Sequence, residues 1–179
     1  MMQDTLIMEQ MAAEARAAWR DLYRDHRREV FSVCYSLLGN VSDADNAVQD
    51  TFVKVARHLR SLGDVRNARQ WLIRIAVRTC LDMRKSFWRR LFHSKTDVPE
   101  QGPESPLPDQ ELLQNEEHER LRKLLQLLPE KQRVAVTLRY YHDLDTEAIA
   151  GVMRITTGSV KQHLHRAMER LKALYEVEP

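Results

Sequence analysis

Cysteine is scarce in this chain: Cys34 and Cys80 are the only two in 179 residues, and no C-x-x-C pair occurs. Neither a disulfide framework nor a zinc site is expected, and two buried thiols in a reducing compartment are the plain reading. Glycine and proline are few, five and six, and alternating Val/Ile/Thr runs are nearly missing, which excludes a strand-rich fold. No stretch nears the ~18 apolar residues of a membrane span. The opening "MMQDTLIMEQ" lacks a basic segment followed by an apolar core, so no secretory leader and no membrane insertion are expected. No nucleophile–base pair or phosphate-binding glycine loop stands out, so an enzyme is not expected, nor is a cofactor or a metal. His163 and His165 are two residues apart on a helix and face different ways, which favours surface or DNA contact over metal ligation.

What the chain does contain is helical pattern and segregated charge. Hydrophobic residues make up 43% and charged ones 30%, as in a soluble folded protein. The net charge of +2 conceals a basic block: Thr51 to Lys95 holds twelve Lys/Arg against Asp64 and Asp82 alone. From Asp97 to Glu119 there are eight acids and no Lys or Arg. A basic block is the footprint of a polyanion partner, although charge runs are commonly just solvated faces.

The sequence divides at "DVPEQGPESPLPDQ", a stretch of Pro, Gly, Ser and acids without periodicity that reads as a flexible linker. The expected organisation is all-α: a helical domain over 15–92, a linker over 93–110 and a second helical domain over 111–176. In the first, Trp19, Leu22, Tyr23, Val30, Val33, Cys34 and Leu37 recur at helical spacing until Gly39-Asn40 stops the helix. Ser42 with Asp45 reads as a capping box opening a helix whose apolar face is Ala47, Val48, Phe52, Val55 and Leu59. After the loop "SLGDVRNAR" comes a further helix, with Leu72, Ile75, Ala76, Thr79 and Met83 on one side. Arg74, Arg78 and Lys85 line up on another, edged by Trp71. That stripe fits a solvated basic face with Trp71 in the core, and it equally fits a surface that holds a backbone and stacks an unpaired base. Arg66, Asn67 and Arg69 in the adjacent loop tilt the reading toward nucleic acid.

The second domain breaks at Pro129, which suits the start of a new helix. A short helix, "DTEAIAGVM", opens at Asp145 or Thr146. The turn "RITT" leads into "SVKQHLHRAMERLKAL", where Val160, Leu164, Ala167, Met168 and Leu171 form an apolar stripe. Ser159, Gln162, His165 and Arg166 fall on the other side. Short helix, tight turn and second helix with a polar start make a helix-turn-helix. In a major groove, Gln162 suits adenine, Arg166 guanine or phosphate, and Lys161 a phosphate.

The motifs "DADNAVQDTFVKVARHL" followed by "WLIRIAVRTCLDMRK", and "LLPEKQRVAVTLRYYHDLDTEAIAGVMRITTGSVKQHLHRAMERL", resemble those of bacterial RNA polymerase sigma factors. The similarity points to the small two-domain extracytoplasmic-function (ECF) group and covers Trp19 to Tyr175 apart from the linker. It implies a cytoplasmic protein, monomeric when free, that binds core RNA polymerase, recognises −10 and −35 promoter elements and helps open the duplex. By the same resemblance Asp45, Asn46, Gln49, Asp50, Phe52 and Lys54 match the polymerase-gripping segment. Arg66, Asn67, Arg69, Trp71, Arg74, Arg78 and Lys85 match the part that captures the −10 strand. Ser159, Lys161, Gln162, His165 and Arg166 match the −35 reader. An anti-sigma factor is a further implied partner.

Five positions depart from the family pattern. Asp45-Asn46 stands for Glu-Asp, Arg78 for Asn, Ala148 for Glu, and Arg154 for a turn glycine. The competing reading is a stand-alone helix-turn-helix regulator that never touches polymerase, in which the basic, Trp-edged first domain has no purpose.

Overall fold

The computed structural model describes residues 13–58, 67–93 and 116–177. Every described element is helical: α1 (Ala13–Leu38), α2 (Val41–His58), α3 (Ala68–His93), α4 (Glu116–Gln126), α5 (Glu130–Val136), α6 (Thr146–Met153) and α7 (Thr157–Val177). A π-helical turn, Thr137–Tyr141, continues α5. The expected linker, except for His93, lies outside the described residues, as do Leu59 and most of the loop that holds Arg66.

In the first domain α1, α2 and α3 pack on one another. Val33, Cys34, Ala47, Val55, Ala76 and Cys80 are wholly buried between them. A hydrogen bond with Cys80, and then burial, raise the Cys34 thiol well above its ordinary pKa. Trp19, Tyr23 and Phe52 close one end: Trp19 stacks on Tyr23 at 5.1 Å, and Phe52 meets Tyr23 edge-on at 4.8 Å. The Trp19 indole N–H donates to the Phe52 carbonyl at 3.0 Å.

The cap of α2 differs from the expected Ser42–Asp45 box. Gly39, at φ +82°, turns the chain at the end of α1, so α2 starts at Val41. Asn40 then takes the cap: its Oδ1 accepts from the Asp43 backbone N–H and its amide donates to the Asp43 carboxylate, both at 2.8 Å.

In the second domain Pro129 precedes α5 as expected, and α7 packs against α5 and α6. Val160 and Ala167 are wholly buried, whereas Met168, assigned to the same stripe by spacing, is 45% exposed. The core meets α7 along Val160, Leu164, Ala167 and Leu171, and position 168 falls at the rim of that narrow stripe. Asp145 is the cap of α6, accepting from the Ala148 N–H at 2.7 Å. α7 begins at Thr157, two residues before the expected start, because Thr156 Oγ1 accepts from the Ser159 N–H at 3.1 Å.

Between α6 and α7, Arg154 adopts φ 56°, ψ 47° and its N–H caps the Ala150 carbonyl. A Cβ is disfavoured in this left-handed region by ~1 kcal/mol, whereas glycine occupies it freely. Arg154→Gly is therefore expected to raise the unfolding free energy by up to ~1 kcal/mol. Chemical denaturation of the two proteins checks this; a less stable glycine variant would show that the Arg154 side chain contributes more than its backbone costs.

The two domains do not stand apart. Val134, Leu138, Leu144, Ile149 and Ala150 of the second belong to one continuous hydrophobic cluster with Leu37, Leu72 and Ile73 of the first. α6 rests on α3, and α4 and the π turn rest on α1. The last carbonyls of α1, which have no helical partner, accept from the other domain: Ser36 from Gln126 Nε2 at 2.9 Å and Leu37 from Arg133 Nη1 at 3.3 Å. Arg84 of α3 adds a donor to Leu37 at 3.2 Å. Burial, then the neighbouring Arg84, hold the Arg133 guanidinium down to about 10, still charged at neutral pH.

Candidate nucleic-acid interface

α3 is apolar over more of its circumference than its sequence periodicity suggested. Leu72, Ile73, Ala76, Val77, Thr79 and Cys80 are all buried, because α1 and α2 cover one side and α6 another. What remains outside is a narrow strip where Arg74, Arg78 and Lys85 are exposed. Trp71 is half-buried beside them and packs against the core. Asn67 caps α3 by accepting from the Gln70 N–H at 3.0 Å, with its side chain exposed. Arg66 is outside the described residues.

Arg69 is differently placed from its neighbours. Its guanidinium grips Glu29 of α1, with Nε at 2.8 and 3.1 Å and Nη2 at 2.5 Å from the carboxylate oxygens. Its Nη2 also donates to the His142 carbonyl of the second domain at 2.7 Å. His142 is buried, with Nδ1 3.5 Å from Glu29 Oε1. The hydrogen bond from His142 and the Arg69 guanidinium outweigh burial and hold the Glu29 carboxyl down from 4.5 to about 2. Glu29 is thus ionised throughout the neutral range. Sequence periodicity has no signal for this cluster, since its members come from three distant elements.

On the helix-turn-helix, Lys161, Gln162, His165 and Arg166 are exposed on the N-terminal half of α7, and Ser159 is half-buried against Thr156. His165 lies 3.6 Å from Glu169 on an open surface, a contact of little energetic weight. Burial, Lys131 and Arg166 lower the His163 pKa, which keeps that imidazole neutral near pH 7. No group of three or more potential metal ligands occurs among the described residues.

The third cluster lies on α2. Asn46, Gln49 and Asp50 are exposed one turn apart on a single face. Asp45 is half-buried and 3.8 Å from Arg27. Two members do not join this face. Phe52 is 1% exposed in the aromatic cluster, because position 52 shares the inward stripe with Val48 and Val55. Lys54 reaches inward, its Nζ donating to Thr79 Oγ1 of α3 at 2.9 Å.

The described residues form two helical domains, one with an exposed basic strip edged by tryptophan and one with a helix-turn-helix, surfaces whose chemistry suits a polyanion. Comparison with known proteins makes the class specific. Residues 22–90 match the model of sigma-70 region 2, and residues 118–171 that of sigma-70 region 4. The chain is 33% identical over 165 residues to the ECF RNA polymerase sigma factor SigL of Mycobacterium tuberculosis, covering 90% of each. It is 25% identical over 160 residues to the ECF sigma factor SigW of Bacillus subtilis, covering 85% of this chain and 84% of that one. Among solved structures, the sigma factor RpoE of Bartonella quintana, in complex with the anti-sigma factor NepR, superposes with a TM-score of 0.74 at 21% identity over 90% of this chain and 99% of that one. The chain belongs to the ECF sigma factors of the sigma-70 family, with regions 2 and 4. It is a non-enzymatic transcription initiation factor that directs RNA polymerase to promoters. No helix among the described residues is long and apolar enough to cross a membrane.

Proposed function

We propose that the first domain, over 15–92, carries two of this factor's three contacts and the second, over 111–176, the third, joined by a linker over 93–110. Asn46, Gln49 and Asp50, flanked by Asp45, form the polymerase-binding face of α2; Phe52 and Lys54 support it from inside. Arg66, Asn67, Arg69, Trp71, Arg74, Arg78 and Lys85 capture the unpaired −10 strand, which calls for cations beside an aromatic ring. Ser159, Lys161, Gln162, His165 and Arg166 meet the −35 duplex in the major groove. The factor acts in the cytoplasm as a monomer when free, and an anti-sigma factor restrains it.

The observation that carries this reading is the contrast between the two exposed surfaces. An exposed strip of arginines and lysine next to Trp71 suits a strand, while a helix with Gln162 and Arg166 one turn apart suits base edges in a groove. The polymerase face is tested by Gln49→Arg. Gln49 is exposed, so this substitution should leave stability within ~0.5 kcal/mol while weakening affinity for core polymerase at least about tenfold. Titration of core with labelled protein measures it. A folded Gln49→Arg protein with unchanged core affinity would remove the assignment of this face.

A further inference from the structure

From Tyr140 to Val160, the stretch that holds the first helix of the helix-turn-helix and its turn, Arg154 is the only Lys or Arg. The acids of that stretch, Asp143, Asp145 and Glu147, are all exposed. In this motif the first helix crosses the DNA backbone while the start of the second reads base edges. α6 thus brings a carboxylate and no cation of its own toward a row of phosphates. Arg154 follows it directly, at the junction with the reading helix α7.

Arg154 is also strained. At φ 56°, ψ 47° it occupies the left-handed region, which glycine takes freely and a residue with a Cβ does not. Asp143, the other left-handed non-glycine among the described residues, at φ 51°, is of a type that tolerates this conformation; arginine is not. The fold draws nothing from the Arg154 side chain. The cap on the Ala150 carbonyl is made by the backbone N–H, which a glycine would supply equally well. The side chain is exposed, and its guanidinium makes no hydrogen bond or ion pair among the described residues. A backbone outlier that its own fold does not explain is a pointer to function. The surface beside it is small and open: Thr156, Thr157 and Gly158 are exposed, and a Cβ added at Gly158 would meet nothing nearer than Thr156 Oγ1 at 3.9 Å.

We propose that Arg154 is a phosphate contact of the −35 duplex, holding the backbone that α6 crosses while Gln162 and Arg166 reach the base edges. The inference rests on the −35 role proposed for α7. A phosphate contact carries no sequence information directly. It fixes the register of the reading helix, adds affinity equally on every −35 sequence, and steepens the salt dependence through the counterion it releases. One side chain then has opposite effects in two states: it strains the free protein and strengthens the complex.

Arg154→Gly, Arg154→Ala and Arg154→Lys in the full chain separate charge from backbone. Arg154→Ala keeps the Cβ and its strain but loses the charge, whereas Arg154→Gly loses both. Each protein is assembled with core polymerase, and equilibrium binding to a labelled duplex promoter is measured in the cold, before melting, over a range of KCl concentrations. The glycine and alanine variants should bind about three- to tenfold more weakly at low salt, by the same factor on templates that differ in their −35 sequence. The slope of log affinity against log salt should become shallower by about one in both. Arg154→Lys, which keeps a point charge, should retain the wild-type slope. Arg154→Gly should meanwhile unfold at a higher denaturant concentration than wild type, so its weaker DNA binding would not come from a damaged fold. Wild-type affinity and slope in the folded glycine and alanine variants would refute the contact. A loss in Arg154→Gly alone would refute it too, by placing the effect in the backbone, and so would a loss confined to some −35 sequences, which marks a base contact. A wild-type holoenzyme that shows no preference among −35 sequences would overturn the −35 role itself, and the Arg154 contact with it.

Discussion

Phe52→Ala should cost ~3–5 kcal/mol of stability, the range for truncating a fully buried phenylalanine. Phe52 is 1% exposed, 4.8 Å from the Tyr23 ring and 6.1 Å from Trp19. Removing its ring leaves a void that the stacked Trp19–Tyr23 pair fills only in part. Phe52→Leu, which keeps most of the volume, should cost about half as much or less. Urea unfolding followed by tryptophan fluorescence and by circular dichroism gives both values. This experiment also separates two roles for position 52. Under conditions where the variant is still folded, core polymerase affinity should be nearly that of wild type, because the ring does not reach the surface. A folded Phe52→Ala protein with a small stability loss and strongly reduced core binding would show that Phe52 touches polymerase directly.

The second large effect separates duplex reading from strand capture. Gln162→Ala should relax preference at one or two −35 positions by ~1–3 kcal/mol, about 5- to 150-fold in selectivity, while promoter melting on a matched template stays close to wild type. Arg74→Ala and Trp71→Ala should do the reverse, keeping −35 preference but impairing open-complex formation, since base stacking on an aromatic is worth ~1–3 kcal/mol. Arg74 is the cleaner of the two because it is exposed, whereas Trp71 also packs on the core. Promoter-library selection reads the first effect and permanganate reactivity of the melted region the second. Unchanged −35 selectivity in Gln162→Ala, or wild-type melting in a folded Arg74→Ala, would contradict this division of labour.

Much of the helical framework was legible because burial on one face leaves a 3.6-residue period. The stripes Val30–Val33–Cys34–Leu37 and Val48–Phe52–Val55 mark the core correctly. The same period marked Phe52 as apolar-faced, yet family resemblance placed it among polymerase contacts; a helix face belongs to one side only, and burial decides which. Caps were less legible. Ser42–Asp45 and Asn40–Asp43 both have the right residue types three apart, and only the left-handed turn at Gly39 selects the second pair. At Arg154 the expected turn glycine was missing, and the backbone stays left-handed regardless because the Ala150 carbonyl needs its cap.

Contacts between the domains left no local trace at all. Nothing in the pattern singles out Glu29 or His142, and Arg69 read only as a nucleic-acid contact. Their meeting depends on α1, α3 and the end of the π turn converging, and periodicity cannot report that. The basic strip on α3 was anticipated, but not that α6 would lean on it and that Arg69 would be engaged elsewhere.

The central claim, that this chain brings RNA polymerase to particular promoters through both surfaces, is tested most directly by run-off transcription with core enzyme on a pool of genomic promoter fragments. Core with the wild-type protein should produce discrete transcripts absent with core alone. Gln49→Arg should lower all of them together, and Gln162→Ala should redistribute them among templates. Transcripts identical with and without the protein, or a Gln49→Arg variant as active as wild type at limiting core, would contradict it.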